Sequence, residues 1–343
     1  MFATLAGNQR VKQLLRRLLE SNRVPGALLF SGEEGVGKKR FALELGKALN
    51  CRSPRGVEGC DDCPSCRRIP KFNYPQTKDP DAWIEMIRTD HPDVAMVVAP
   101  RRVLRVDQMR QIEREAYYRP FEGKARVFLI DDADKLNPAS TNALLKILEE
   151  PPPTSHLILL TSRPAMLLET IRSRCQAVRF APLSVAEIEE YLLRDKTIKP
   201  TEARLRARLA GGSISRALAN DLDDYKTRRT DMLRVLEALA VTGDRSQLLN
   251  MAEELNSARY KDDYEVMLDV LEALIRDAWM LSLGAQEIVN EDLRPQLSKI
   301  AARLDSANAA RWLTETETLR EQLTVNINRK VATDALFLSM ANA

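Results

Sequence analysis

The chain is poor in aromatic residues, which fill 5% of its 343 positions, and it has only two histidines. It has no window near the ~18 consecutive apolar residues of a membrane-spanning helix. Its first residues, MFATLAGNQRVKQLL, follow an amphipathic helix pattern with no signal-peptide cleavage region. These absences exclude a spanning helix and point to the cytoplasm. The formal net charge, +3, is small for this length, which excludes a general nucleic-acid coat and leaves any DNA contact to a local patch. Internal repeats and low-complexity tracts are also lacking.

What is present is a soluble, helix-rich balance. Hydrophobic residues make up 44% and charged residues 29%, with much Leu, Ala, Glu and Arg. The length exceeds the usual size of one core, so two or three domains are expected. Four of the five cysteines lie between Cys51 and Cys66, which in a reducing compartment suggests metal binding rather than disulfides.

Residues 8–20 place Val11, Leu14, Leu15, Leu18 and Leu19 on one helical face. Apolar runs at Ala27–Phe30, Val94–Val98, Val127–Ile130, Leu157–Leu160 and Ala177–Phe180 read as five strands buried on both faces of a mostly parallel sheet. Between the third and fourth runs, Asn137 caps a helix with Pro138 in its first turn and Pro151, Pro152 and Pro153 as its stop. Ser184 and Glu187 form a capping-box pattern. Strand signals cease beyond Pro182, Gly211-Gly212 interrupts the helices, and long amphipathic helices follow from about Asp221. The expected organisation is an α/β nucleotide-binding-like domain over 1–181 with a metal module at about 51–66, a helical lid over 182–220, and an all-helical bundle suited to oligomerisation over 221–343.

The segment Gly32-Glu33-Glu34-Gly35-Val36-Gly37-Lys38 fits GxxxxGK between a strand and a helix. There, backbone N–H groups and a helix N-terminus hold phosphate oxygens while the lysine supplies a point charge. In that context, a glycine turn that merely packs is disfavoured. The next residue should carry a hydroxyl for Mg²⁺, yet it is Lys39, and a cation cannot ligate a cation. The strand Val127–Ile130 ends in Asp131 and Asp132. Asp131 is placed near a bound metal, while Asp132 is one methylene shorter than the glutamate that polarises the attacking water in most such enzymes. Misplacing a catalytic group by ~1 Å can cost on the order of a hundredfold, so weak or absent hydrolysis is expected. Thr161, just past the fourth run, completes the candidate nucleotide set with Arg216.

The run Asn142-Ala143-Leu144-Leu145-Lys146-Ile147-Leu148-Glu149-Glu150-Pro151-Pro152, followed by Ser173-Arg174-Cys175, resembles the AAA+ subunits of the bacterial DNA polymerase III clamp loader. The resemblance covers residues 2 to about 220 and beyond that only helical character. It implies an AAA+ domain, a lid and a collar in a hetero-pentamer with gamma/tau and delta subunits that acts on the sliding clamp and primed DNA. It also implies that Arg174 is an arginine finger reaching a neighbour's ATP. Motor subunits of this family carry Gly-Lys-[Ser/Thr], Asp-Glu and Gly-Ser-x-Arg; here Lys39, Asp132 and Gly212-Ser213-Ile214-Ser215-Arg216 depart from them. One residue of displacement turns Arg216 by ~100° on a helix. A poor site of its own with an intact finger is the pattern of the delta-prime branch; the alternative is an active gamma/tau-like motor. A zinc-dependent nucleic-acid-binding protein without nucleotide is a weaker third reading, against which Lys38, Asp131 and Arg174 count together.

Cys51, Cys60, Cys63 and Cys66 form C-x₈-C-x₂-C-x₂-C. Four thiolates at this spacing suit a closed tetrahedral Zn²⁺ site, and an iron–sulfur cluster is the alternative. Zinc is favoured because the first ligand ends a helix and no redox motif accompanies it, and the resembling subunits carry a zinc module at this point. Whether ATP or ADP occupies the loop is left open. Cys175 reads as a small core residue, and His91 and His156 read as capping or core residues. Arg101, Arg102, Arg105, Arg110, Arg114 and Arg119 read first as a solvated helix face and second as phosphate contacts.

Overall fold

All five apolar runs become strands in the computed structural model, which describes residues 1–76, 83–100, 103–219, 222–257, 263–323 and 328–342. The strands are β1 (Ala27–Ser31), β2 (Ile87–Arg88), β3 (Val94–Val97), β4 (Arg126–Ile130), β5 (Ser155–Thr161) and β6 (Gln176–Arg179). They form one sheet in the order β2-β3-β4-β5-β1-β6. The five expected strands run parallel to one another. The sixth, β2, lies antiparallel at the edge, pairing Ile87 with Met96 and Arg88 with Ala95. Two residues are too few to reveal a period, so β2 leaves no strand signal in the sequence.

Side chains alternate across a strand, and both faces of this sheet are covered. Leu29, Phe128, Ile130, Leu157 and Leu159 enter one core with Met109 and Ile112 of a helix at Val106–Ala116 and Leu144 and Ile147 of another at Pro138–Glu149. Leu28, Phe30, Val127, Leu129, Ile158 and Leu160 enter a second core with Val11, Leu15, Phe41 and Leu45. Full burial of each such side chain contributes ~1.5–3 kcal/mol, which is why the runs read as unbroken apolar stretches.

The helices of this part, in chain order, are α1 (Gln9–Glu20), α2 (Lys38–Asn50), α3 (Pro64–Arg68), α4 (Val106–Ala116), α5 (Pro138–Glu149), α6 (Glu169–Arg172), α7 (Val185–Leu192), α8 (Pro200–Leu209) and α9 (Ile214–Ala219). Asn137 Oδ1 accepts from Ser140 N at 2.8 Å, and Ser140 Oγ accepts from Asn137 N at 2.8 Å, closing the start of α5. Ser184 and Glu187 make the same reciprocal pair at the start of α7, at 2.9 and 3.2 Å. Such a cap contributes ~1 kcal/mol. Helices α7 to α9 gather Ile188, Leu192, Ala203, Ala207, Ile214 and Ala217 into a small core of their own.

Contacts divide the chain into Met1–Ala219 and Asn220–Ala343. Among the described residues the second unit has helices and no strand: α10 (Leu222–Glu237), α11 (Arg245–Leu255), α12 (Tyr264–Ser282), α13 (Arg294–Ala301), α14 (Ser306–Leu323) and α15 (Arg329–Ala341). In α12, Met267, Leu268, Leu271, Leu274, Ile275 and Ala278 are buried at helical spacing. None of the described helices is long and apolar enough to cross a membrane.

Candidate functional site

Strand β5 lies between β4 and β1. Gly32 after β1, Asp131 after β4 and Thr161 at the end of β5 therefore arrive at one edge of the sheet, with adjacent strands ~4.8 Å apart. This edge, outside the carboxyl ends of the strands, is where open α/β sheets bind ligands. A cavity of about 540 Å³ opens there, and Gly35, Gly37, Lys38, Lys39, Asp131, Asp132 and Thr161 line it. Gly37 is the cap residue before α2, at φ +101°, and leaves the helix without a side-chain cap. Gly35 sits at φ +77°, and a Cβ there would overlap the Ser213 hydroxyl. Both positions require glycine.

Lys38, Lys39, Asp131 and Asp132 in the cavity are already engaged. Lys38 Nζ donates to the carbonyls of Gly32 and Glu33 at 2.7 and 2.8 Å. Burial pushes its ammonium pKa down, against the pull of Asp131. Lys39 Nζ stands 3.7 Å from Asp131 Oδ2, 3.4 Å from the Tyr74 hydroxyl and 5.1 Å from the centre of the Phe72 ring. Burial raises the Asp131 carboxyl above its ordinary value, and Lys39 only partly offsets this.

Asp132 has left-handed backbone, φ +51°, and its Oδ2 takes Lys135 Nζ at 2.7 Å. The Thr161 hydroxyl donates to Asp134 Oδ1 at 2.6 Å, and Arg163 Nη2 meets Asp134 Oδ2 at 2.7 Å. Burial opposes the charge of Asp134, but these hydrogen bonds outweigh it and hold the carboxyl below its usual range. Asp134 was not singled out from the sequence, although it is the third carboxylate of the Asp131-Asp132-Ala133-Asp134 run.

The start of α9 closes over the loop, with Ser215 N donating to Gly35 O at 3.1 Å. Ser213 Oγ accepts from Arg216 N at 3.2 Å. The Arg216 side chain is exposed, lies beside Gly211 and is outside the cavity lining. Arg174 is also away from that lining, on the turn between α6 and β6. Its guanidinium donates to Glu149 Oε1 at 2.9 Å and to Thr170 O at 3.0 Å. The pair joins the Ser-Arg-Cys turn to the end of α5. Beside it the Cys175 thiol is buried and pushed up to about 12 by that burial.

The second site is the cysteine module between α2 and β2. Cys51 caps the end of α2 and Cys63 caps the start of α3. All four sulfurs lie within 4.8 Å of one another, with Cys51–Cys63 at 3.9 Å and Cys60–Cys66 at 4.0 Å. A tetrahedral metal with ~2.3 Å metal–sulfur bonds has sulfur–sulfur edges of about 3.8 Å. These four residues can therefore hold a metal ion. Backbone N–H groups of Cys60 and Cys63 point at the sulfurs of Cys51 and Cys60, at 3.3 and 3.2 Å, favouring thiolates. The module is fastened to α2 by Lys47 Nζ, which bridges Glu44 and Asp61 at 2.7 and 2.8 Å.

His91 is fully buried and accepts from Asp93 N at 3.3 Å. His156 Nδ1 lies 2.9 Å from Pro25 O. Both sit below their ordinary pKa because of burial. Arg105 caps α4, Arg110 pairs with Asp107 at 3.5 Å, and Arg114 and Arg119 are exposed. Arg101 and Arg102 lie outside the described residues.

A family model described as DNA polymerase III, delta subunit, matches residues 7–184, and a companion described as its C terminal matches 224–340. The chain belongs to this family. It is 26% identical to DNA polymerase III subunit delta' of Bacillus subtilis over 93% of this chain and 92% of that one. It is 29% identical to the Escherichia coli subunit delta', covering 91% and 87% of the two chains. DNA polymerase III subunit tau of Escherichia coli is 32% identical over 75% of this chain but only 38% of its own length.

Proposed function

We propose that this chain is a stationary, non-hydrolysing AAA+ subunit of the cytoplasmic clamp loader, and that it acts on a neighbour's nucleotide rather than its own. The observation that carries this reading is the Lys39–Asp131 pair at 3.7 Å. In a working phosphate loop, a hydroxyl and that carboxylate gather Mg²⁺; here an ammonium meets the carboxylate instead. Asp132, held by Lys135, is likewise poorly disposed to orient a water. The same pair weighs against a gamma/tau-like motor.

Arg174 is assigned the trans-acting role. Its guanidinium is partly exposed and held by the Thr170 carbonyl and one exposed carboxylate, Glu149, a pairing that a neighbour's γ-phosphate can replace. Such an arginine stabilises charge that develops in transfer and contributes ~10³–10⁵ in rate. The partners are gamma/tau and delta subunits in a hetero-pentamer, with the sliding clamp and primer-template DNA met through the complex. The cysteine module is assigned a structural Zn²⁺, since four protein sulfurs leave no open position.

The test is reconstitution with motor and delta subunits, with ATPase and clamp loading measured with and without this chain. A complex that needs the chain for full turnover, while the isolated chain turns over no ATP, supports the reading. An isolated chain as active as a motor subunit refutes it.

A further inference from the structure

The cavity above the Gly32–Lys39 loop keeps the groups that hold phosphate and lacks those that hold a metal. On the phosphate side, Gly35 and Gly37 retain positive φ, and the first turn of α2 offers N–H groups with no side-chain cap. Lys38 reaches the loop from the same turn. The remaining lining includes Leu43, Pro70, Phe72 and Leu218, an apolar wall of the kind that receives a base.

On the metal side the donor set does not fit. Mg²⁺ demands six oxygens in near-octahedral order. Lys39 contributes none, and its ammonium engages Asp131, the carboxylate that would have served as ligand. A divalent ion would have to displace Lys39 and then remain beside both Lys38 and Lys39. The other charges of the lining do not change this balance: Arg40 is bonded to the Tyr191 hydroxyl at 2.5 Å, Asp132 is paired with Lys135, and Glu34 is exposed.

We infer that this loop binds a nucleoside di- or triphosphate as the free anion, without a divalent metal, with Lys39 supplying the positive charge that Mg²⁺ supplies elsewhere. Tyr74 and Phe72 hold the Lys39 ammonium at the cavity wall, with Asp131 Oδ2 3.7 Å away. The inference rests on the reading of the loop as a nucleotide site. It changes the expected ligand from the Mg²⁺ complex to the bare nucleotide, and it makes binding and hydrolysis separable in this chain.

The test is calorimetric titration of the full chain with ADP and with ATP, each in excess EDTA and in excess Mg²⁺, with thermal unfolding to confirm that every variant is folded. Wild type is expected to bind in EDTA at least as tightly as in Mg²⁺, because Mg²⁺ withdraws the free anion. Lys39→Met is expected to weaken binding in EDTA by roughly tenfold, the scale of one charge-assisted contact. Lys39→Thr should invert the dependence, binding roughly tenfold tighter with Mg²⁺ than without. Absence of binding under both conditions overturns the inference and leaves the assembly role untouched, since an arginine acting on a neighbour's nucleotide needs none bound to this chain. Binding by wild type only with Mg²⁺ overturns the inference and removes the Lys39–Asp131 pair as an argument for the non-hydrolysing reading. Equal binding in EDTA by wild type and Lys39→Met also overturns the inference.

Discussion

Lys39 Nζ stands 3.7 Å from Asp131 Oδ2, and each side chain is about one-third exposed, at 35% and 31%. The two groups thus form an ion pair at the mouth of the cavity rather than in a dry interior, where surface pairing is worth little. Burial still dominates at Asp131, whose carboxyl is raised above 3.8. A group raised on folding contributes stability that is fully present below its unfolded pKa and is lost as pH rises through the folded value. Ionised Asp131 is therefore unfavourable at neutral pH. Asp131→Asn is expected to gain in stability relative to wild type as pH rises from about 4 to about 7, by no more than ~1 kcal/mol. Urea midpoints across that range check it; a difference that shrinks with rising pH contradicts the assignment.

The isolated chain is expected to hydrolyse no ATP. Restoring Asp132→Glu alone should change nothing, because Lys39 still excludes the metal that any water-activating residue works beside. The double variant Lys39→Thr/Asp132→Glu should show turnover above the single variants. A steady-state phosphate-release assay decides this, and activity in wild type would contradict it.

Metal removal is expected to act locally. One zinc ion per chain should be found by elemental analysis, and chelation or Cys63→Ser should release hydrogen-exchange protection across residues 51–66. Amides of β4 and β5 should keep theirs, since these strands lie at the centre of the sheet. Iron in place of zinc, or loss of protection throughout the sheet, would contradict the structural assignment.

Much of this fold was legible because each relevant signal is local. Continuous apolar runs marked the strands, Asn137 and Ser184 marked helix starts, and four cysteines marked the module. What was not legible depends on pairs far apart in sequence. Nothing around Lys39 announces that Phe72 and Tyr74 will wall it in, or that Asp131 will meet it. The Thr161–Asp134 bond spans 27 positions, and β2 has meaning only beside β3.

Asp93 illustrates the same point in the scaffold. Its buried carboxylate accepts from the backbone N–H groups of Phe121, Glu122 and Gly123 at 2.6, 2.9 and 2.7 Å. Asp93→Ala strands three donors and is expected to cost ~2–4 kcal/mol. Denaturant unfolding measures this, and a cost below ~1 kcal/mol would mean that water replaces the carboxylate.

Arg174 is assigned the trans-acting part of the proposed function, and its substitution separates fold from function. Its guanidinium is 36% exposed and bonded to a carboxylate, Glu149, that is 55% exposed. Removing such a pair should shift stability by no more than ~0.5 kcal/mol. Arg174→Ala is thus expected to fold and assemble as wild type does. In the reconstituted complex only the site facing this subunit loses its finger, so steady-state ATPase should fall in part. Clamp release should fall further, because it needs every site to fire. Lysine should rescue poorly, since a single ammonium cannot bridge two phosphate oxygens as the planar guanidinium does. Glu149→Gln supplies the complementary arm: it frees Arg174 from its resting partner without deleting it, so turnover should be kept or raised. Wild-type clamp loading by the Arg174→Ala complex would leave this chain a scaffold alone.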